Sequence, residues 1–476
     1  MPFNSLNFWI VFPFIFSIFW IIPASYRNIK RGFLILVSYL LYLNWNPAYS
    51  LILLGITAVT YFGAISVGKI NDSYSSNSKR KRIITIIVII TLFPLLIFKY
   101  YNFINISISD GLRYIGLNFS LPGLNWMIPV GISFFTFQAL GYLWDVYYKK
   151  IKAERNWWDY MLFLSFFPQI AAGPISRASD LIPQLKNFKP FNYSQGVAGL
   201  RLLLWGMFLK VVIADRLGMY VDVVFPNYQH FSGVNCFIAS IFYSLQIYCD
   251  FAGYSYMAIG IAKTIGINLI NNFNRPYFAT SITDFWKRWH ISLTRWLTTY
   301  IYIPLGGSRC SKARTYRNIM VTFLVSGIWH GANWTFIIWG AIHGGLLIVE
   351  RLTGLQKATA NNVFTKGIRI SFTFLLVNLA WIFFRMPAIE DAFGFIEHIF
   401  SSFFGRIIGE MDFTVLFILF LGILILILKE LCEEFSISRF RIFENRTVLL
   451  LVYVFIFSLI LSVGVLDSGQ FIYVSF

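Results

Sequence analysis

Charged residues are scarce in this 476-residue chain, where Asp, Glu, Lys and Arg together make up 13%. A soluble domain is about a quarter charged, so the shortage excludes an ordinary water-soluble protein. Hydrophobic residues reach 57%, and long apolar runs recur along the chain. A run of about 20 residues is long enough to cross a bilayer as a helix. Because backbone amides in lipid must be paired internally, these runs predict membrane-spanning helices rather than barrel strands.

Acidic residues are scarcer than basic ones, with 21 Asp and Glu against 39 Lys and Arg. The net charge of +18 lies mostly in short loops, a pattern that orients membrane proteins. We therefore expect contact with membrane lipid and no nucleic-acid partner.

Only four cysteines are present, and they lack metal-binding spacing: Cys236, Cys249, Cys310 and Cys432. This spacing predicts neither a disulfide nor a bound metal, and Walker A, HExxH and GxSxG motifs are absent too.

The apolar runs predict an all-α, polytopic integral membrane protein with about eleven transmembrane helices. These spans lie near residues 7–24, 32–46, 50–68, 83–99, 125–147, 194–214, 234–266, 319–349, 368–386, 412–430 and 447–466. Basic loops follow the first, third and fifth spans, which places those loops in the cytoplasm and the N-terminus outside. No linker or repeat divides the chain, so residues 1–476 are interpreted as one membrane-embedded domain.

Three segments depart from a simple pattern of spans. Residues 157–175 are apolar but broken by Pro168 and by Gly173-Pro174, which predicts a re-entrant pair of half-helices. Residues 276–317 combine seven basic residues with interleaved tryptophans, which predicts amphipathic helices at the membrane interface. The run 319–349 is long for one span and predicts either a span plus a turn or a second helix.

His290, His330 and His343 are three of only five histidines, and they lie in or beside apolar sequence. A titratable ring in hydrocarbon is costly, so such residues tend to face a bundle interior and to have a function. His230, in a loop, and His398, in an acidic segment, are instead interpreted as structural.

The neighbours of His330 suit a reactive ring. His330 lies in SGIWHGANW, residues 326–334, within a run that has no charged residue between 319 and 349. Trp329 can form a dry wall, Gly331 permits close approach of a ligand, and Asn333 follows shortly after. Since a neutral imidazole can accept a proton near neutral pH, His330 is a candidate general base. If residues 284–294 form one helix, Trp286 and His290 share a face of it, and Asp284 caps that helix or binds a nearby base.

Several long stretches resemble the membrane-bound O-acyltransferases, and within them the bacterial alginate O-acetylation type. They are IPVGISFFTFQALGYLWDVYY at 128–148, FLSFFPQIAAGPISRASDLIPQL at 163–185, KVVIADRL at 210–217, YCDFAGYSYMAIG at 248–260, NRPYFATSITDFWKRWHISLTRWLTTYIYIPLGGSR at 274–309, SGIWHGANWTFIIWGAIHG at 326–344 and FIYVSF at 471–476.

The resemblance implies helices around a central tunnel, with transfer of an acyl group from a cytosolic thioester to a hydroxyl. It implies that His330 is catalytic, with His290 as the second histidine and with support from His343, Asn333, Trp329 and Asp250. The donor is expected to be acetyl-coenzyme A, with no permanently bound cofactor. Its phosphates are expected to contact basic side chains that precede the His330 run: Lys287, Arg288, Arg309, Lys312 and Arg314. Tyr256 stands where the bacterial branch often has an acidic residue, which puts any acid role there in doubt.

Three hypotheses for the function remain at this stage. The first is O-acetylation of an exported cell-surface polysaccharide at the bacterial inner membrane, directly or through a periplasmic or extracellular SGNH-type acetyltransferase partner. The second is transfer of D-alanine to teichoic acid from a carrier protein. The third is a non-catalytic exporter of an acylated substrate, which would need a polar pore with several ionisable residues.

Overall fold

The computed structural model describes residues 3–70, 74–357, 362–405, 413–435 and 445–465. Within those ranges every long element is a helix and no strand occurs, which confirms the all-α prediction. The helices are α1 Leu6–Ile21, α2 Arg27–Leu43, α3 Pro47–Gly68, α4 Tyr74–Leu95, α5 Tyr101–Tyr114, α6 Ile132–Tyr147, α7 Trp157–Ser165, α8 Ala178–Lys186, α9 Tyr193–Met207, α10 Asp215–Val224, α11 Gly233–Thr264, α12 Ile282–Arg288, α13 Ile291–Leu297, α14 Lys312–His330, α15 Trp334–Thr353, α16 Val363–Arg385, α17 Ile389–Ser401, α18 Phe413–Glu434 and α19 Arg446–Val463. The FIYVSF stretch at 471–476 lies outside the described residues.

Six helical segments of the described chain are long and apolar enough to cross a membrane. They are α3, α4–α5, α9–α10, α11, α15 and α16, and the two joined pairs are continuous through π-helical turns at Leu96–Tyr100 and Phe208–Ala214. Helix α1 and most of α19 are apolar but shorter. The protein is therefore a multi-pass membrane protein, whereas the count of about eleven spans and the central tunnel stay predictions.

The chain folds into two compact units. The first unit comprises Met1–Phe3, Asn7–Leu200 and Ala258–Ile270, and the second comprises Asn4–Leu6, Arg201–Met257 and Asn271–Phe476. The first unit therefore holds α2 to α8 and all of α1 except Leu6, and the second holds α10 and α12 to α19. All three candidate histidines belong to the second unit.

In the first unit, the segment 157–175 is half helical and half irregular, so the predicted pair of half-helices is wrong in its second part. Helix α7 ends at Ser165, and the chain regains helical structure only at Ala178. Pro168 and Pro174 remove two backbone donors from the intervening stretch. The irregular backbone is buried and is paired by side chains elsewhere in the unit, as when Phe167 N donates to Ser38 Oγ at 3.1 Å. Pairing of this kind permits non-helical backbone inside a membrane protein.

In the second unit, the tryptophans of residues 276–317 are buried, so the prediction that they anchor amphipathic helices in the membrane interface is wrong for them. Trp286, Trp289 and Trp296 are 5%, 0% and 7% exposed. The segment forms the short helices α12 and α13, and α12 is anchored by Glu350, whose carboxylate accepts from the Thr283 amide at 2.9 Å. Burial of these large rings stabilises the segment.

The long apolar run from 319 to 349 is divided between two helices, which confirms the second-helix alternative. α14 ends at His330 and α15 begins at Trp334, so residues 331–333 form the reversal. The two helices cross at glycines with their backbones almost in contact. A Cβ added to Gly327 would lie 2.3 Å from the Phe336 carbonyl oxygen, and one added to Gly340 would lie 2.3 Å from that of Phe323.

We expect Gly340→Ala to lower the thermal unfolding midpoint of the purified protein in detergent. The added methyl group meets backbone that cannot rotate away, and overpacking of this kind costs about 1–3 kcal/mol. Gly345→Ala on the same helix is the matched control, because a Cβ there meets nothing within 4 Å. Since alanine favours a helix over glycine, the control should unfold at the same or a slightly higher temperature. Equal midpoints for the two variants would contradict the close crossing.

Candidate active site

Three buried histidines lie in neighbouring positions in the second unit. His290 and His343 are 0% exposed and His330 is 3% exposed. The ring centroids of His290 and His330 are 6.4 Å apart. Trp339 packs edge-on between His330 and His343, with its ring centroid 5.0 and 4.9 Å from theirs. The structure thus brings together the three histidines that the sequence singled out.

Aromatic rings enclose this group of histidines. Trp329 packs against both His330 and His290, at centroid distances of 4.9 and 5.8 Å. Phe384 lies 5.3 Å from His330, and Phe251 lies 4.7 Å from His290. The wall of apolar rings keeps the local dielectric low, which strengthens every hydrogen bond and partial charge inside it.

His290 is held in an unusual backbone conformation between α12 and α13. Its φ of 44° lies in the left-handed region, which a non-glycine residue adopts at a cost of about 1–2 kcal/mol. Because α12 ends at Arg288, residues 284–294 do not form one helix, and the shared face of Trp286 and His290 that depended on it does not occur. Paired backbone compensates for the strain, since the Ile291 amide donates to the Asn272 carbonyl at 2.9 Å.

Asn272 fixes the tautomer of His290. The Ser292 amide donates to Asn272 Oδ1 at 3.0 Å, and the Ser292 hydroxyl does so at 2.8 Å. Since an amide N–H can only donate, this oxygen is an acceptor. His290 Nδ1 lies 3.2 Å from the same oxygen and must therefore carry the hydrogen. His290 Nε2 accordingly bears the lone pair, and burial lowers the pKa of the ring to about 3, so the ring is neutral near pH 7.

His343 has the opposite tautomer. The Trp286 indole, which can only donate, lies with Nε1 3.3 Å from His343 Nδ1. His343 Nδ1 is therefore the acceptor and Nε2 carries the hydrogen. This hydrogen bond links α12 to α15. Trp286 is therefore a partner of His343 rather than of His290.

The other residues predicted as support have different surroundings. Trp329 is part of the aromatic wall, as expected. Asn333 caps α15, accepting from the Thr335 amide at 3.1 Å and donating to the Pro387 carbonyl at 2.7 Å. Asp250 is bound by Lys210, whose ammonium lies 2.7 Å from both Asp250 and Asp215. These contacts give Asn333 and Asp250 clear structural roles.

The basic residues predicted to bind the donor fall into two groups. Lys287, Arg309, Lys312 and Arg314 are exposed. Arg288 instead forms ion pairs within the second unit, with Asp284 at 3.0 Å and Glu434 at 2.8 Å. Its guanidinium is already committed to carboxylates, and Asp284 has the base-binding role that was one of its two predicted alternatives.

Sequence analysis missed Asn272, Trp339 and Trp381 as parts of the site. Trp381 packs on Trp339 with their rings stacked at 5.6 Å. Asn272 follows another asparagine in an irregular stretch, and no periodicity distinguishes it. Trp339 lies within the charge-free run of His330, so its position relative to that histidine was the one available signal.

Comparison with known proteins gives a consistent result. The model of the membrane-bound O-acyltransferase family, MBOAT, matches residues 154–387. The chain is 36% identical over 402 residues to the probable alginate O-acetylase AlgI of Azotobacter vinelandii, covering 84% of this chain and 78% of the relative. It is 37% identical to the peptidoglycan O-acetyltransferase of Helicobacter pylori, covering 79% and 75%. The teichoic acid D-alanyltransferase of Bacillus subtilis is 27% identical over 54% of this chain and 68% of its own length.

The depressed pKa of His290 predicts a pH dependence of stability. Between the folded value of about 3 and the ordinary value of 6.5, the unfolded chain binds a proton that the folded chain does not. The stability contribution of the neutral ring is therefore complete above pH 6.5 and is lost as the pH falls from 6.5 towards 3. Thermal unfolding in detergent from pH 4 to 8 measures this loss.

His290→Gln should show a smaller fall of the unfolding midpoint at low pH than the wild type, because it removes the titrating ring. His230→Gln, on an exposed loop, is the matched control and should follow the wild type. Identical pH profiles for His290→Gln and the wild type would contradict a buried, neutral His290.

Proposed function

The chain belongs to the membrane-bound O-acyltransferase family, and from that premise we propose that it acetylates hydroxyl groups of an exported cell-surface polysaccharide, using cytosolic acetyl-coenzyme A. The O-acyltransferase activity follows from family membership. The observation that supports the site is the pair His290 and His330, whose ring centroids are 6.4 Å apart and which are buried among aromatic rings. Relatives that are 36–37% identical are named for acetylation of alginate and of peptidoglycan, which supports acetyl as the group transferred.

His330 acts as the general base in this proposal. The acceptor hydroxyl oxygen attacks the thioester carbonyl carbon while His330 removes the hydroxyl proton. The tetrahedral intermediate then collapses, the carbon–sulfur bond breaks, and His330 returns the proton to the departing thiolate. The products are an O-acetyl ester and the free thiol of coenzyme A. The ring ends the cycle neutral, as it began.

His290 positions the acceptor hydroxyl. Because its Nδ1 hydrogen is directed at Asn272, Nε2 is an acceptor and cannot donate to an oxyanion in this tautomer. That geometry disfavours an oxyanion role and supports acceptance of a hydrogen bond from the hydroxyl. Correct orientation of two reactants can supply roughly 7–11 kcal/mol of the barrier reduction, so a neutral, fixed acceptor is sufficient for this role.

The two substrates approach from opposite faces of the bacterial inner membrane. With the N-terminus outside, the basic segment 284–317 faces the cytoplasm and receives the phosphates of the donor. Its exposed members Lys287, Arg309, Lys312 and Arg314 support this assignment. A tunnel joins this face to the acceptor side, where a glycan or an SGNH-type acetyltransferase partner takes the acetyl group.

Transfer of D-alanine to teichoic acid is the second candidate. A D-alanyltransferase is among the relatives, but it is 27% identical over 54% of this chain, against 36% over 84% for the alginate relative. We therefore favour acetylation. An exporter without chemistry is not supported, because the chain belongs to a family of acyltransferases.

We expect His330→Ala to reduce acetyl transfer at least a hundredfold, because loss of a general base costs about 10²–10⁴ in rate. Purified protein in detergent, assayed for coenzyme A release with a glycan acceptor, measures the effect. His230→Ala on the exposed loop is the matched control and should keep wild-type activity. Retention of more than a tenth of the activity by His330→Ala would contradict the assignment.

Simultaneous replacement of Arg309, Lys312 and Arg314 by Gln should raise the KM for acetyl-coenzyme A more than it lowers kcat. Exposed cations that meet phosphates contribute to binding, and salt screens them, so the difference should be largest at low salt. Arg288 is left intact because its ion pairs stabilise the second unit.

Replacement of Lys79, Lys81 and Arg82 with Gln removes the same charge from exposed positions on α4 and serves as the control. If the variant with Arg309, Lys312 and Arg314 replaced has an unchanged KM for acetyl-coenzyme A at low and moderate salt, the donor must enter at another position. Because topology is already fixed in detergent, altered membrane orientation cannot account for either result.

A further inference from the structure

The proposed acetyl transfer requires a hydrogen-bond donor that His290 and His330 do not supply. When the acceptor hydroxyl attacks the thioester, negative charge develops on the carbonyl oxygen, and donors that stabilise this oxyanion lower the barrier. His290 Nε2 is an acceptor, because the Nδ1 hydrogen is directed at Asn272. His330 holds the hydroxyl proton for the departing thiolate. A separate donor to the oxyanion is therefore required.

Four buried N–H groups beside the histidines have no hydrogen-bond acceptor among the residues that the structure describes. They belong to side chains that are each 0% exposed: Trp289, Trp339, Trp381 and His343. An indole can only donate, and His343 Nε2 carries the hydrogen because Nδ1 accepts from Trp286. Buried donors without acceptors are costly and rare in folded proteins. Four of them in one place therefore indicate a ligand that supplies the acceptor.

The rings that carry these four donors are in contact with one another. Trp381 stacks on Trp339 with ring centroids 5.6 Å apart, and it packs against Trp289 at 5.0 Å. His343 packs against Trp339 at 4.9 Å. At these positions the aromatic wall offers donors only. The chemical group that matches such a wall is one that only accepts, such as a carbonyl oxygen or an oxyanion.

Trp339 is the member of this set that contacts the proposed base. The ring centroids of Trp339 and His330 are 5.0 Å apart, and their planes are inclined at 86°. In acyl transfer the reacting centre lies roughly 3 Å from the nucleophile and from the oxyanion donors. The base and the donor must therefore be close neighbours. Trp339 directly precedes Gly340, so the close crossing of α14 and α15 fixes it beside His330.

We propose that the Trp339 indole N–H donates a hydrogen bond to the thioester carbonyl oxygen and stabilises the oxyanion that forms there. This role rests on the proposed acetyl transfer. The hydroxyl oxygen bonds to the carbonyl carbon, the carbonyl π pair moves to oxygen, and His330 takes the proton. When the pair returns, the carbon–sulfur bond breaks and His330 protonates the thiolate. Trp339 stays neutral throughout, and the low local dielectric strengthens its hydrogen bond to the charged oxygen.

The test removes the N–H group of Trp339 and keeps the ring. Replacement by 3-benzothienylalanine, introduced by amber suppression, puts sulfur in place of the indole N–H with almost the same shape. The same replacement at Trp20 is the matched control, because its Nε1 donates to the Thr264 carbonyl at 3.1 Å. A third protein carries the replacement at Trp381, whose ring packs on Trp339. Each purified protein in detergent is assayed for coenzyme A release with a glycan acceptor at varied acetyl-coenzyme A.

We expect the replacement at Trp339 to lower kcat about 10²–10³-fold, the loss that follows removal of one oxyanion donor. The KM for acetyl-coenzyme A should change less than about threefold, because the hydrogen bond strengthens only as charge develops on the oxygen. The thermal unfolding midpoint should stay equal or rise, since a buried donor without an acceptor is removed.

The two other replacements should behave differently. At Trp20 the replacement should keep kcat and lower the unfolding midpoint, because the Thr264 carbonyl loses its donor. At Trp381 the replacement should lower kcat less than about tenfold, since that ring supports Trp339 and its N–H is not the one that meets the oxyanion.

Wild-type kcat after replacement at Trp339, a rise in KM alone, or an equal loss of kcat at Trp339 and Trp381 would overturn this role. If wild type transfers acetyl and His330→Ala does not, any of these results leaves the proposed function standing. If wild type releases no coenzyme A with any acceptor, the proposed function fails and the role of Trp339 fails with it. If the protein with benzothienylalanine does not fold, Trp339→Phe is compared with Trp381→Phe, and the same difference in kcat is expected.

Discussion

The close backbone contact between α14 and α15 determines the geometry of the candidate active site. Gly327 and Gly340 let the two helices approach until a single methyl group would overlap a carbonyl oxygen. His330 is the last residue of α14, one turn beyond Gly327, and Trp339 directly precedes Gly340 on α15. The crossing therefore brings Trp339 against His330 and carries His343 to the other side of the same indole. With wider spacing between these helices, the histidines would lose their common wall.

The two units differ in the charged side chains that surround their interior sites. Around the histidines, rings replace ions, and His290 and His343 have the neutral partners Asn272 and Trp286. In the first unit, by contrast, seven Lys and Arg side chains line one cavity. A neutral, dry site suits proton transfer between groups that begin and end uncharged.

Sequence analysis was most successful for features that depend only on residues close together in the chain. The all-α class and the grouping of the three histidines in apolar surroundings could be predicted, and two helices were one of the two alternatives for residues 319–349, because each depends on local hydropathy and spacing. Its errors involve contacts between distant segments. The burial of Trp286 depends on His343, 57 residues later, and the tautomer of His290 depends on Asn272, 18 residues earlier. The basic pattern of 287–317 indicated an interface, but it could not show that Arg288 has a carboxylate partner at residue 434.

The ion triad of Lys210, Asp215 and Asp250 has a consequence for how the protein enters the membrane. Lys210 lies within the π-helical turn between α9 and α10, Asp215 directly follows that turn, and Asp250 lies in α11. A lone charged residue at the centre of a helix costs about 2.5–3.5 kcal/mol to insert, so α11, which contributes Asp250, does not partition easily into lipid alone. Side by side, the ammonium offsets both carboxylates within hydrogen-bonding distance. Biogenesis is therefore best served if the translocon retains the α9–α10 segment until α11 has been synthesised and releases them as a hairpin.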